Sequence, residues 1–384
     1  MASQRAEDQP CDLHGLWINI HMPAFWGGGA ERAIVRLANH WASQGYRVRM
    51  VVNAAVGPVR EHLSSDVAVV DLGALRTREA FGRLCAWVRA EQPDLIVSVL
   101  PSAIIATSLA TRLFSRRTAH LALVRNHTTG ELAHDGRLRR TLLGAALRRA
   151  LRSADVIGCV SRAVADDVVT FAGIDRDRVV TTYNPVPMPV PDLARPLPGW
   201  PPGAGKVLVA AGRLAPQKDY ATLVRAAALA AQQARFDLVI LGDGPLRAEI
   251  EALAAQLGIA GRVHLPGFVA TPEDYVARGD VFVLTSLFEG FPNVIAEALS
   301  LGRTVIATDA PGGSAEILGD GAYGYVAPMG DAERIAALIV TALAHPVDPD
   351  RARARARAFS VAEVAMNYEM AMCRALKHHG VTGR

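Results

Sequence analysis

Hydrophobic and polar positions along this chain follow two alternating rhythms. Short apolar runs occur at LWINIHM (16–22), RVRMVVN (47–53), VAVVDLG (67–73), DLIVSVL (94–100), HLALVRN (120–126), DVIGCVS (155–161) and VVTTYNP (179–185), with amphipathic stretches between most of them. Such runs read as strands buried on both faces, and the longer stretches as helices packed over them. The result is the βαβ order of a mainly parallel sheet. The order breaks at NPVPMPVPDLARPLPGWPPGAG (184–205), whose prolines and glycines read as a linker. It restarts with KVLVAAG (206–212), FDLVILG (236–242), RVHLPGF (262–268), DVFVLTS (280–286), TVIATDA (304–310) and a short GYVAP (324–328). The pattern predicts an α/β protein of two doubly wound, Rossmann-like domains, residues 1–190 and 191–358. A closing helix and tail, 359–384, packs back toward the first domain, and RARARARA (351–358) reads as a solvated helix end.

Length agrees, because 384 residues exceed one ordinary core. A chain 51% hydrophobic and 20% charged is globular. Its four cysteines, Cys11, Cys85, Cys159 and Cys373, show no metal or redox spacing and read as unpaired thiols of a reducing compartment. The start MASQRAEDQPCD has no apolar run and is no leader. The longest uncharged run, 95–111, contains Pro101 and several serines and is too interrupted for a bilayer span of about 20 apolar residues. These features place the chain in the cytoplasm.

Net charge is only +4, yet six arginines and no acid lie from Arg137 to Arg152. On a helical wheel Leu138, Leu142, Leu143 and Leu147 gather opposite most of those arginines. That helix either touches anionic lipid at the inner face of the cell membrane or presents an ordinary solvated basic face. Nucleic acid fits poorly, since no aromatic residues interleave with the arginines.

Ligands of open α/β sheets bind beyond the carboxyl ends of the strands, so the cleft between two such domains is the expected site. AAGRLAPQKDY (210–220) leaves a strand at Gly212 and enters a helix, with Arg213 and Lys218 beside the free N–H groups of the helix start. Lysine is otherwise confined to Lys206 and Lys377. The turn could cradle a diphosphate, or carry two solvated charges. SLFEGFPNVIAEALSLG (286–302) places Glu289 just past a strand and Glu297 one turn into the next helix, with Pro292 suited to its first position. Glu289, flanked by Phe288 and Phe291, suits hydrogen bonds from sugar hydroxyls. Glu297 also fits a solvent stripe with Asn293 and Ser300. PAFWGGGAER (23–32) offers close backbone approach at Gly28 and Gly29, and VRNHTT (124–129) carries His127 to a strand end. Asp175-Arg-Asp177 and Asp348-Pro-Asp350 read as surface loops, not metal ligands.

Together EGFPNVIAEAL, GRLAPQKDY, LGDGPLRAEIEALAAQLGI, VHLPGF and ATDAPGGSAEIL resemble the large family of retaining, GT-B-fold glycosyltransferases (glycosyl transferases group 1). GGGAER and VRNHTT resemble its bacterial surface-polysaccharide members, and the likeness runs over roughly residues 15–375. The resemblance implies that Glu289, with the backbone of Gly290 and Phe291, holds the donor sugar, and that His127 lies beside it. It assigns Glu297 to the ribose, Arg213, Lys218, Gly28 and Gly29 to the diphosphate, and Phe268 to the base. It implies a nucleotide-sugar donor, uridine-linked, and a glycan or lipid-linked acceptor bound by the N-terminal domain. Transfer would retain the anomeric configuration with no cofactor and no metal. Two other readings share the fold: a nucleotide-sugar epimerase, and a non-catalytic scaffold subunit of a polysaccharide assembly complex.

Overall fold

A computed structural model describes residues 11–133, 136–203 and 205–379. The first ten residues, read above as no leader, lie outside the described residues, as do the side chains of Arg137, Leu138 and Arg139. The chain divides into two compact units, Met1–Pro185 with Val361–Arg384, and Val186–Ser360.

The first unit carries strands β1 (Trp17–Met22), β2 (Arg47–Val52), β3 (Ala68–Asp71), β4 (Leu95–Val99), β5 (Ala119–Val124), β6 (Val156–Cys159) and β7 (Val179–Thr181). All pair in parallel in the order β3-β2-β1-β4-β5-β6-β7. Its helices are α1 (Gly29–Ser43), α2 (Thr77–Glu91), α3 (Pro101–Phe114), α4 (Thr128–Ala133), α5 (Arg137–Ser153) and α6 (Arg162–Ala172). The second unit has β8 (Lys206–Ala211), β9 (Phe236–Leu241), β10 (Val263–Gly267), β11 (Val281–Leu284), β12 (Thr304–Thr308) and β13 (Tyr325–Ala327), in the order β10-β9-β8-β11-β12-β13. Its helices are α7 (Tyr220–Ala230), α8 (Arg247–Gln256), α9 (Pro272–Arg278), α10 (Asn293–Ser300), α11 (Ser314–Ile317), α12 (Ala332–Ala344) and α13 (Pro349–Arg357). The final helix, α14 (Val361–His378), belongs to the first unit.

The central strands β4 and β5 are buried at every position, as both-face coverage requires. Over the same sheet α1 turns Ile34, Leu37, Ala38 and Trp41 inward at helical spacing. Trp41 meets Tyr368 of α14 edge-on, ring centres 6.1 Å apart, and its indole N–H donates to Glu369 at 3.0 Å.

Three expectations need correction. Cys11 and Cys373 are joined as a disulfide, so only Cys85 and Cys159 are free, and both are buried. The bridge joins positions 362 residues apart, a pairing that local spacing does not reveal, because α14 returns to the first unit. The stretch after Pro185 is no free tether: Asp274 of α9, 2% exposed, accepts from the Asp192 N–H at 2.7 Å and from Arg195 at 2.9 Å. Tyr275 adds a bond from its hydroxyl to the Pro198 carbonyl, 2.8 Å. Finally, RARARARA is most of α13, capped by Asp348 and packed through the fully buried Ala352 and Ala356. Its alanines four apart face the core, while Arg355 between them donates to the Ile317 and Glu316 carbonyls at 2.8 and 2.7 Å.

Candidate functional site

Each sheet reverses its strand order once, between β1 and β4 in the first unit and between β8 and β11 in the second. Beyond the carboxyl ends of such strands the loops diverge and leave a crevice. In the second unit, the loop after β8 carries Lys218 and the loop after β11 carries Glu289, and the two side chains meet there. Lys218 Nζ lies 2.5 Å from Glu289 Oε1, with 17% and 10% of the side chains exposed. Ser286 donates its hydroxyl to the same Oε1 at 2.7 Å. No described residue bonds Oε2, which leaves one carboxylate oxygen to receive a ligand's hydroxyl.

Backbone contacts fix this pair. Leu287 N–H donates to the Gln217 carbonyl, and the Gln217 amide donates to the Phe288 carbonyl, both at 2.8 Å. The Thr285 hydroxyl donates to Lys218 and Asp219 carbonyls at 3.0 Å. Glu289 N–H donates to the Pro311 carbonyl at 2.9 Å, and Gly313 N–H to the Gly290 carbonyl at 3.0 Å. Gly312 holds φ +136°, and a side chain there would start 2.1 Å from the Glu289 carbonyl oxygen, so only glycine allows that approach. Tyr220, the first residue of α7, donates its hydroxyl to the Gly212 carbonyl at 3.2 Å. Burial, then the neighbouring Glu289 charge, push that phenol's pKa well above its ordinary value.

Around the pair, Arg213 is exposed with no ion-pair partner among the described residues. Glu297 sits half-buried on α10, on the stripe with Asn293 and Ser300. Pro292 precedes α10 as its cap residue, one position earlier than the sequence suggested. Gly290 and Phe291 are buried, and Phe291 packs edge-on against Phe359, ring centres 5.3 Å apart. Its side chain is therefore structural, and only its backbone is available for a ligand. Phe268 is 81% exposed just beyond β10, an apolar face that suits a planar base. Ser286, Gln217 and Gly312 were missed in the sequence. Ser286, three residues before Glu289, carried a readable local signal.

In the first unit, the loop after β1 places Gly28 before α1 as its cap residue and Gly29 as its first residue. A Cβ on Gly28 would lie 2.4 Å from the Glu31 carboxylate, so the glycine accommodates that acid. Burial raises the Glu31 pKa, against its own backbone N–H and the Arg125 charge. Across the switch, Leu100 holds φ +76°, a strained conformation for a branched residue of about 1–3 kcal/mol. His127 follows β5 at the same end of the sheet, beside Asp167 of α6, with 3.7 Å between Nδ1 and the carboxylate. Gly28, Gly29 and His127 thus share one edge of the first unit, as Lys218, Glu289, Arg213 and Phe268 share one edge of the second.

Two of the six arginines of α5 serve the fold. Arg148 donates to the Phe171 carbonyl at 2.8 Å and Arg152 to the Ala172 carbonyl at 2.6 Å, so both cap the end of α6. Leu142 is 64% exposed instead of facing the core. Asp348 accepts the Asp350 N–H at 2.8 Å as the cap of α13, and Asp175 precedes a short turn of helix. No helix among the described residues is long and apolar enough to cross a membrane.

Comparison with known proteins bears on both edges. The model of glycosyl transferases group 1 matches residues 205–345, and that of glycosyltransferase family 4 matches 27–188. The N-acetylgalactosamine-N,N'-diacetylbacillosaminyl-diphospho-undecaprenol 4-alpha-N-acetylgalactosaminyltransferase of Campylobacter jejuni is 33% identical over 42% of this chain, a match that spans less than half of that relative, 44%. The lipopolysaccharide core biosynthesis glycosyltransferase LpsE of Rhizobium meliloti is 27% identical over 81% of this chain and 84% of its own. The crystal structure of Anabaena HepE in complex with UDP superposes with a TM-score of 0.74 at 20% identity, over 91% of this chain and 97% of that one, which is a likeness of fold. The two parallel sheets, their switch points and these matches place the chain among the group 1 glycosyl transferases, with the GT-B fold.

Proposed function

We propose that this chain moves a glycosyl group from a nucleotide-sugar to a glycan or lipid-linked glycan acceptor in surface-polysaccharide or glycolipid synthesis. The observation that carries the proposal is the Lys218–Glu289 pair at the switch point of the second unit, 2.5 Å apart and nearly buried. A nucleotide-sugar offers a chemical partner to each half: a diphosphate for the ammonium, sugar hydroxyls for the carboxylate. Arg213, exposed and unpaired among the described residues, adds a second cation for the diphosphate. As the glycosyl bond breaks, charge grows on the leaving diphosphate, and fixed cations stabilise it most at that moment. The nucleotide is UDP, in keeping with the UDP-bound neighbour of the same fold.

The reaction retains configuration and uses no metal. Retention through a covalent intermediate places a carboxylate nucleophile about 5–5.5 Å from a second carboxyl group. By the family resemblance, the acceptor attacks from the leaving-group side and a phosphate oxygen takes its proton, while Glu289, one oxygen held by Lys218 and Ser286, keeps the other for the sugar.

Thermal unfolding with UDP, GDP and ADP, each with and without EDTA, tests the donor site. UDP at 100 times its dissociation constant raises stability by about 2.7 kcal/mol. The shift persists in EDTA and disappears in Glu297→Ala. A shift with GDP or ADP alone, or one abolished by EDTA, overturns the uridine or metal-free assignment. No shift with any of the three sinks the donor-site reading.

The acceptor side meets anionic membrane. A groove of about 780 Å³ runs between α3 and α5, lined by Arg112, Arg116 and Arg149 with Leu109 and Leu113. Those three arginines have no ion-pair partner among the described residues, and the leucines are 47% and 59% exposed. Basic side chains around exposed leucines fit acyl chains capped by acidic headgroups, at about 1 kcal/mol per arginine. In flotation with phosphatidylglycerol vesicles, the wild-type chain rises with the lipid. The Arg112→Glu, Arg116→Glu, Arg149→Glu triple variant stays below, and neither binds phosphatidylcholine. Equal flotation of both chains rules out this surface.

A further inference from the structure

We infer that Asp167 is the positioning residue for His127, holding its loop and, through Gly130, selecting the ring tautomer that donates a hydrogen bond outward. The role of that bond in catalysis rests on the glycosyl-transfer reading above.

Asp167 lies on α6, away in sequence from the loop it organises, and its side chain is 7% exposed. It accepts the N–H of Thr128 at 2.7 Å, the N–H of Thr129 at 3.2 Å, and the hydroxyl of Thr129. One carboxylate thus collects two orphan donors from the start of α4 and a side-chain hydroxyl. Helix α6 is itself well anchored. Ser161 caps its start by accepting the Val164 N–H at 3.2 Å, and Gly173, at φ +60°, ends it beside the arginines of α5. The loop after β5 is therefore fixed by a side chain borne on a rigid helix, as a precise functional group requires.

The same loop decides which ring nitrogen of His127 carries the proton. Gly130 donates its N–H to Nδ1 at 3.3 Å. A nitrogen that accepts carries no proton, so the neutral ring bears it on Nε2. Two acceptors lie farther from Nδ1, the Thr129 oxygen at 3.4 Å and the Asp167 carboxylate at 3.7 Å, and both compete with Gly130 by favouring a proton on Nδ1. His127 keeps 22% of its side chain exposed, and with Nδ1 accepting from Gly130 its remaining donor is Nε2–H. His127 is then a hydrogen-bond donor to an oxygen of the reacting sugar, and not a base.

The test measures the ring nitrogen shifts of His127 by 15N NMR on the full chain, together with turnover of a panel of UDP-sugars read as UDP release. In the wild type, His127 shows the Nε2–H tautomer. In Asp167→Ala the ring shifts toward a tautomer mixture, and kcat falls about tenfold, the loss of one well-placed hydrogen bond. KM and the UDP-induced stabilisation stay within twofold, because Lys218, Glu289 and Glu297 are untouched. Asp167→Asn, which keeps an oxygen for the two N–H groups, restores most of kcat. Thr129→Val falls between, and these two variants decide the question if Asp167→Ala does not fold. An unchanged His127 tautomer with unchanged kcat in the folded variants overturns the proposal. If no UDP-sugar is turned over by the wild type, the glycosyl-transfer reading fails, and the nitrogen shifts alone decide what Asp167 does.

Discussion

A Glu289→Gln chain folds, keeps its UDP-induced stabilisation, and loses about 10²-fold in kcat with the donor that supports wild-type turnover. Glutamine preserves the shape and still accepts from Ser286 and Lys218, which in the native chain lie 2.7 and 2.5 Å from Oε1. The backbone bonds to Pro311 and from Gly313 to Gly290 do not involve the side chain, so the loop stays in place. What is lost is the negative charge. Hydrogen bonds to a charged acceptor contribute about 1.5–3 kcal/mol, against about 1 kcal/mol for a neutral pair, and two sugar hydroxyls compound the difference. Lys218 changes too. In the native chain its ammonium is neutralised by Glu289 until a diphosphate competes for it; in the variant it is unopposed, so UDP binds at least as well. Lys218→Met gives the opposite division, weakening UDP binding as well as turnover. The measurement is initial rate against donor concentration for both variants, beside their thermal shifts with UDP. A Glu289→Gln chain with kcat within twofold of wild type removes Glu289 from the chemistry.

The positions of these residues were legible because strand ends are legible. The rhythm of apolar runs fixed where β8 and β11 stop, and ligands of such sheets bind just past those points. Lys218, one of three lysines, stood out for that reason. That Lys218 contacts Glu289, 71 residues away, depends on β8 lying beside β11, and strand order leaves no mark in the local letters. Asp167 escaped notice for the same reason: it reaches Thr128 from 39 residues away, on a helix whose pattern reads as ordinary. The Cys11–Cys373 bridge is the extreme case. Composition misled at α13, where alternating arginine and alanine suggested a solvated end. The helical repeat instead brings Ala352 and Ala356 onto one buried face. At α5 the arginine count suggested one continuous basic face, but Arg148 and Arg152 cap a neighbouring helix.

The strands of the first unit also carry two histidines that patterning alone treats as incidental, and they make that unit acid-sensitive. His21 on β1 is wholly buried, with Nδ1 at 2.7 Å from the Thr107 hydroxyl and Nε2 at 3.2 Å from the Asn53 amide oxygen. His120 on β5 is 2% exposed and bonds the Ser98 hydroxyl at 2.7 Å, while its Nδ1 has no partner among the described residues. Burial lowers His21 from 6.5 to about 4. His120 falls from 6.5 to about 3, by burial first and then by the nearness of His21. Both are therefore neutral in the folded chain and protonate more readily when it unfolds. Between pH 6.5 and pH 4 the unfolded state binds more protons, so stability is complete above pH 6.5 and is lost as pH falls through that window. At about 1.4 kcal/mol per pH unit, His21 alone accounts for a loss of about 3 kcal/mol by pH 4, and His120 for a similar amount. Urea midpoints at pH 7, 5.5 and 4.5 should drop steeply in the wild type. A His21→Gln, His120→Gln chain, less stable at pH 7, should show a flatter profile because its replacements do not titrate. Carboxylates elsewhere titrate in both chains, so the difference between the two slopes isolates the histidines. Parallel slopes would mean that protons reach His21 and His120 in the folded sheet, and that its polar layer opens to water.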